Sequence, residues 1–103
     1  MKKFDVLNRI QSVGVVAVVR ANNEEEAVKI SSACINGGVP AIEVTFTVPG
    51  ADQVIKTLKK TFSDDQLIVG AGTVLDSETA RVAILNGADF IVSPGFDLES
   101  SVK

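Results

Sequence analysis

Four short apolar runs recur along the chain, and amphipathic segments separate them. Val15-Val16-Ala17-Val18-Val19 is continuously apolar, the pattern of a parallel strand buried on both faces. The second run spans Ala41 to Phe46. The third is Leu67-Ile68-Val69, leading into Gly70-Ala71-Gly72-Thr73. The fourth is Phe90-Ile91-Val92-Ser93, closed by Pro94-Gly95. Between the runs the apolar period becomes that of a helix. Ala27, Ile30, Cys34 and Ile35 form the inner stripe of one such helix. Asn22 or Asn23 caps it, Glu24-Glu25-Glu26 suit the positive end of its dipole, and Gly37-Gly38 stops it. Pro49 opens the next helix, with Val54, Ile55 and Leu58 inside and Lys56, Lys59 and Lys60 outside. Asp76 or Ser77 caps a third, which carries Ala80, Val82, Ala83 and Leu85 and ends at Gly87. A leading helix is predicted over 3–12, and Asp97-Leu98-Glu99-Ser100 reads as the first turn of a last one.

Strand starts near 15, 41, 67 and 90 recur about every 25 residues, the size of one βα unit. The helix-to-strand joints also look alike, Ile35-Asn36-Gly37-Gly38 against Leu85-Asn86-Gly87-Ala88. The predicted fold is therefore α/β, four βα units in a single domain over 1–103. Four units make half of a (β/α)8 barrel or a small doubly wound sheet. The second strand favours the barrel. Ile42, Val44 and Phe46 form one alternating set; Ala41, Glu43 and Thr45 form the other. The small and polar set suits a barrel lumen, whereas a doubly wound sheet wants apolar residues on both faces. A chain that signals a last helix and stops one turn later reads as a truncated barrel.

Glu43 stands out against this pattern. Of thirteen Asp and Glu residues, it alone interrupts the middle of an apolar strand. Burying an unpaired carboxylate costs several kcal/mol. Its retention marks either a structural ion pair or a functional group.

Composition narrows the classes. Hydrophobic residues make up 46% of the 103, and no run approaches the ~18 apolar residues of a membrane span. The formal net charge of −3 and the absence of Tyr and Trp argue against nucleic acid as a partner. With no His and only Cys34, no imidazole or soft metal site is expected. The lone Cys34 and the absence of a signal-peptide pattern at Met1-Lys2-Lys3-Phe4-Asp5 fit a reducing, cytoplasmic setting.

Parallel α/β folds place ligands at the C-terminal strand ends. There the chain offers Arg20, then Glu43, Thr45 and Thr47, then Gly70-Ala71-Gly72-Thr73, then Ser93-Pro94-Gly95. One cation, one carboxylate, hydroxyls and accessible backbone donors suit an anionic small molecule undergoing proton transfer. Arg20 equally suits an ion pair with Glu43. Gly70 and Gly72 do not complete a dinucleotide fingerprint, because Leu75 holds the third glycine position.

Val18-Val19-Arg20-Ala21, Ile42-Glu43-Val44-Thr45-Phe46-Thr47, Gly70-Ala71-Gly72-Thr73-Val74 and Ile91-Val92-Ser93-Pro94 occur in an order and spacing that resembles the 2-keto-3-deoxy-6-phosphogluconate (KDPG) and 4-hydroxy-2-oxoglutarate (KHG) aldolase family. The resemblance covers essentially the whole chain. It implies a TIM barrel, a homotrimer, and a class I aldolase that forms a Schiff base with a pyruvate-type keto acid and uses no metal or other cofactor. It makes Glu43 the general acid/base, sets Thr73 on the pyruvate carboxylate and places Pro94 in the pocket wall. Many members carry an arginine for that carboxylate where this chain has Thr47; here Arg20, one strand away, is expected to reach the same space.

The family's imine-forming lysine lies on a later strand. The lysines here, at 2, 3, 29, 56, 59, 60 and 103, all fall in predicted helices, turns or termini. None sits in a strand, where desolvation lowers an amine's pKa. The phosphate site expected of later barrel loops is missing too. A half barrel that self-associates or complements a second chain without catalysis is the alternative, and an isomerase or decarboxylase on the same barrel is a third. Incubation with pyruvate and borohydride is expected to leave the intact mass of this polypeptide unchanged. A stoichiometric pyruvyl adduct would refute that expectation.

Overall fold

The computed structural model describes residues 14–46 and 49–93. The predicted leading helix, the last helix start, Thr47 and Pro94 lie outside the described residues. Seven elements alternate: β1 (Ala17–Val19), α1 (Glu24–Asn36), β2 (Ala41–Thr45), α2 (Ala51–Thr61), β3 (Ile68–Gly72), α3 (Ser77–Leu85) and β4 (Phe90–Ile91). The strands form one parallel sheet in chain order, β1-β2-β3-β4.

Sequential order decides the architecture. Crossovers between parallel strands are right-handed, so strands that always step to the same side send every helix to the same face. The packing follows this rule. Val19, Ile42, Val44, Val69, Ala71 and Ile91 share a core with Ala27, Val54, Ile55, Leu58 and Ala83 from the three helices. The opposite face carries a separate cluster of Ala41, Ile68 and Phe90, with Val16 against it and no helix residue in it. The structure is a half of an α/β barrel, with the three described helices outside and, among the described residues, none on the lumen face. The alternation predicted for β2 holds: Ile42 and Val44 enter the helix-side core, and Ala41 joins the lumen cluster. One expectation changes. The first apolar run is not buried on both faces, because Val15 and Val18 are exposed. Val18 points to the side opposite the three described helices.

Local chemistry sets the helix ends. Asn23 caps α1, its side chain accepting from the Glu26 N–H at 2.8 Å. Asp76 caps α3 by accepting from the Thr79 N–H at 2.7 Å, and this bond holds its carboxyl below the ordinary range. Pro49 does not enter α2; it sits in the preceding turn, and Gly50 caps the helix with φ 83°. The two helix-to-strand joints share one device, shifted by one residue. The Val39 N–H reaches the Cys34 carbonyl at 2.8 Å, and the Ala88 N–H reaches the Ala83 carbonyl at 3.0 Å. These are Schellman-type closures. The left-handed residue is Gly38 in the first joint and Gly87 in the second, so Gly37 corresponds to Asn86 rather than to Gly87.

Two helix faces differ from prediction. In α3 only Ala83 is buried; Ala80 packs at the core's edge, while Val82 is exposed and Leu85 is 75% exposed. Alanines let the short helix lie close to the sheet, and the larger residues turn outward. In α2, Lys59 does not sit outside with Lys56 and Lys60. Its ammonium donates to both carboxylate oxygens of Asp89, at 2.9 and 3.0 Å, and to Asp64 at 2.6 Å. The Asp89 side chain is only 4% exposed, and its Oδ2 also accepts from the Val69 N–H at 2.9 Å. Burial opposes the Lys59 charge, but the two carboxylates outweigh it and raise its pKa. This cluster ties α2 to β3 and to the residue before β4, at the N-terminal end of the strands. Asp89→Ala removes a buried partner from both the ammonium and a strand N–H. Its expected cost is about 3 kcal/mol in urea unfolding. A loss within about 0.5 kcal/mol, the range of ordinary surface changes, would show the cluster to be dispensable.

Candidate active site

Glu43 lies at the centre of β2, flanked by β1 and β3. The register pairs it with Val18 on one side and Gly70 on the other. Its side chain leaves the sheet on the lumen face, opposite the Ile42 and Val44 core. It then leans along the strand. The carboxyl lies not over Gly70 but over Gly72, two residues nearer the C-terminal end. A Cβ built on Gly72 would meet Glu43 Oε2 at 2.5 Å and its Cδ and Cγ at 2.6 Å. The Glu43 carboxylate therefore occupies the volume that any side chain at position 72 would fill. Gly70 opens a similar space, but there the ring of Phe90 fills it. The two glycines thus serve two neighbours on the same face.

Beyond Gly72 the chain turns sharply. Thr73 has φ 56°, and it is the sole described residue other than glycine with a positive φ. A β-branched residue in the left-handed region is strained. Neighbours on both sides hold it there. The Phe46 N–H donates to the Gly72 carbonyl at 2.8 Å, and the Val74 N–H donates to the Val92 carbonyl at 3.1 Å. The Thr45 hydroxyl, 1% exposed as a residue, donates to the Thr73 hydroxyl at 3.3 Å. Thr45 and Glu43 share a face two residues apart. Thr73 is thereby brought to the strand-end region toward which the Glu43 carboxyl leans.

The remaining candidates sort as follows. Arg20 is exposed one residue past Val19, the last residue of β1, and by alternation shares the parity of Val16 and Val18. It makes no ion pair with Glu43 among the described residues. The structural pairing is therefore not formed, and Glu43 meets no compensating cation there. Burial alone raises the Glu43 pKa above its ordinary value near 4.5. Ser93 is half-buried, one residue before Pro94. Sequence reasoning missed the spatial roles of Gly70 and Gly72. The available signal was two glycines at strand period in an apolar run, which marks close approach on one face.

This combination of fold and motifs belongs to a known class of enzyme barrels. The family model for KDPG and KHG aldolase matches residues 6–101. A 2-dehydro-3-deoxy-phosphogluconate aldolase of Treponema pallidum (strain Nichols) is 39% identical over 94 residues, covering 91% of this chain and 42% of the relative. A KHG/KDPG aldolase of Escherichia coli (strain K12) is 37% identical over 81 residues, covering 79% of this chain and 37% of the relative. The crystal structure of a Legionella pneumophila KDPG aldolase, with pyruvate captured as a covalent carbinolamine intermediate, superposes with TM-score 0.74 at 32% identity; the match covers 82% of this chain and 40% of that one. The chain is a member of the KDPG/KHG aldolase family and spans about two-fifths of the length of these relatives.

A carboxyl with a raised pKa makes the folded state bind its proton more tightly than the unfolded chain does. Below about pH 4.5 both states are protonated and Glu43 costs nothing. As pH rises past that value, ionisation favours the unfolded chain, and the penalty stays once the folded carboxyl has also ionised. Glu43→Gln is therefore expected to raise the urea midpoint at pH 7 and leave it unchanged at pH 4. A midpoint lowered at pH 7 would contradict this account.

Proposed function

We propose that this chain supplies the acid/base and carboxylate-binding half of a class I aldolase. The reaction cleaves a 2-keto-3-deoxy-6-phospho sugar acid or 4-hydroxy-2-oxoglutarate to pyruvate and an aldehyde. The single observation that carries this reading is the half-buried Glu43 carboxyl, without a cation partner among the described residues and leaning toward the strand end where Thr73 stands. An ion-paired glutamate would be held ionised and would be a poor proton carrier. One with a raised pKa gives up and regains protons nearer neutrality.

In such a reaction an amine adds to the substrate's C2 carbonyl, and loss of water gives an imine. When the bond between C3 and C4 breaks, its electron pair moves toward the iminium, and the C4 hydroxyl proton goes to a base as the aldehyde leaves. Glu43 is the group suited to carry protons for these steps. Thr73, fixed by Thr45, is suited to donate its hydroxyl to the keto acid's carboxylate, with Arg20 offering charge from β1. Pro94 is assigned to the pocket wall from its motif alone. The amine is proposed to come from outside these 103 residues. Lys59 is committed to Asp89 and Asp64 and holds its proton more tightly than usual, and Lys29, Lys56 and Lys60 stand on helices.

One observation favours a second, non-catalytic reading. Val18 is 60% exposed on the face that carries no helix among the described residues, beside Glu43, and an exposed apolar sheet face invites association with another copy or a complementary chain. A chimera separates the two readings. Joined to the second half of the Treponema pallidum relative's barrel, the chain is expected to release pyruvate from a KDPG-type substrate. Glu43→Gln should then lower kcat by about 100-fold or more, the range of general acid–base catalysis. Thr73→Val should act mainly on KM. Unchanged kcat in Glu43→Gln would remove the acid/base assignment, and a chimera that assembles without activity is the outcome expected of the second reading.

A further inference from the structure

We infer that Gly72 is the positioning residue for Glu43: the missing side chain at 72 is the seat of the Glu43 carboxylate. The inference rests on the proposed acid/base role only for its catalytic consequence, because the geometry stands without it.

Glycine within a strand weakens it and packs nothing. The usual reason for accepting that cost is a backbone with positive φ. Gly14, Gly38, Gly50 and Gly87 have such φ values, and Gly70 and Gly72 do not. Backbone conformation thus gives no reason for glycine at 72, where a residue with a side chain would adopt the same dihedrals. The reason is space, and Glu43 takes it, with three of its side-chain atoms within 2.6 Å of where the Cβ would be. Gly70 supplies an internal comparison. Its space is filled by Phe90, a buried ring of the lumen-side cluster, with its neighbours packed about it. Displacing that ring costs packing. A flexible carboxylate with no hydrogen-bond partner among the described residues is displaced cheaply. One glycine therefore serves the core, and the other serves the placement of a single functional group. With Gly72 free of a side chain, the carboxyl lies down along the strand toward Thr73. A methyl group there lifts it off the sheet into solvent.

Carbon-detected NMR titration of the Glu43 side-chain carboxyl in this chain tests the inference, with urea unfolding alongside. Gly72→Ala is expected to stay folded, with a urea midpoint close to the parent's. Its Glu43 titration midpoint should fall measurably, toward that of an exposed carboxyl, as the carboxyl gains water. Gly70→Ala is expected to do the reverse, lowering the urea midpoint and leaving the Glu43 midpoint in place. The inference is overturned if Gly72→Ala leaves the Glu43 midpoint unchanged, if Gly70→Ala moves it equally, or if Gly72→Ala fails to fold. These readouts do not involve keto acid, so they can fail while the chimera's aldolase activity stands, and the reverse.

Discussion

Consecutive parallel strands that always step to the same side place all three described helices on one face of the sheet. Most of the other features depend on this constraint. The helix side takes the apolar half of each strand and builds the core around Ile42, Ile55, Leu58 and Val69. The other side keeps a smaller apolar cluster of Ala41, Ile68 and Phe90 at the N-terminal end of the strands, with Glu43, Thr45 and the two glycines of β3 beyond it. Glu43 is tolerable in the middle of β2 only because its face is the lumen face. Under a doubly wound arrangement a helix would cover it, and the carboxylate would need a partner.

The two ends of the sheet differ in how fully their polar groups are satisfied. At the N-terminal end, Lys59, Asp64 and Asp89 form a satisfied charge cluster that also captures a strand N–H. At the C-terminal end the interactions run the other way. Thr73 is held in a left-handed conformation that its β-branch disfavours, and Glu43 is half-buried without a cation partner among the described residues. Strain and an uncompensated carboxyl are local losses that the core and the charge cluster must offset. That pattern is the one the proposed catalytic role would require, since strain and an uncompensated charge are costs a purely structural end would avoid.

Gly70 and Gly72 show how little sequence separates the two demands. Both lie on the same strand and face, two residues apart, with ordinary strand backbone. One yields space to an aromatic ring of the lumen cluster, and the other yields it to a carboxylate. The difference comes from what β2 and β4 place opposite them.

Much of this was legible in the chain. The four strands begin at 17, 41, 68 and 90, close to the starts that the apolar runs predict, and the caps Asn23 and Asp76 were among the candidates named for their helices. These features are set by residues within a turn or two, so local pattern is enough. The barrel-like division of β2 was legible too, because alternation along one strand reports its two environments. The motifs at the strand ends carried the family. What pattern did not disclose depends mostly on partners 20 to 30 residues away. Lys59 reads as solvent-facing until the Asp89 carboxylate appears beside it, and Val82 and Leu85 read as core until Ala80 and Ala83 bring α3 against the sheet by its small face. The Arg20–Glu43 pair was open on spacing and is absent among the described residues. The sequence by itself thus determined the elements, their order and the chemical inventory of the site. Tertiary structure alone decided where the Glu43 carboxyl lies and what Gly72 is for, because excluded volume between strands is a property of their register, which no single segment encodes.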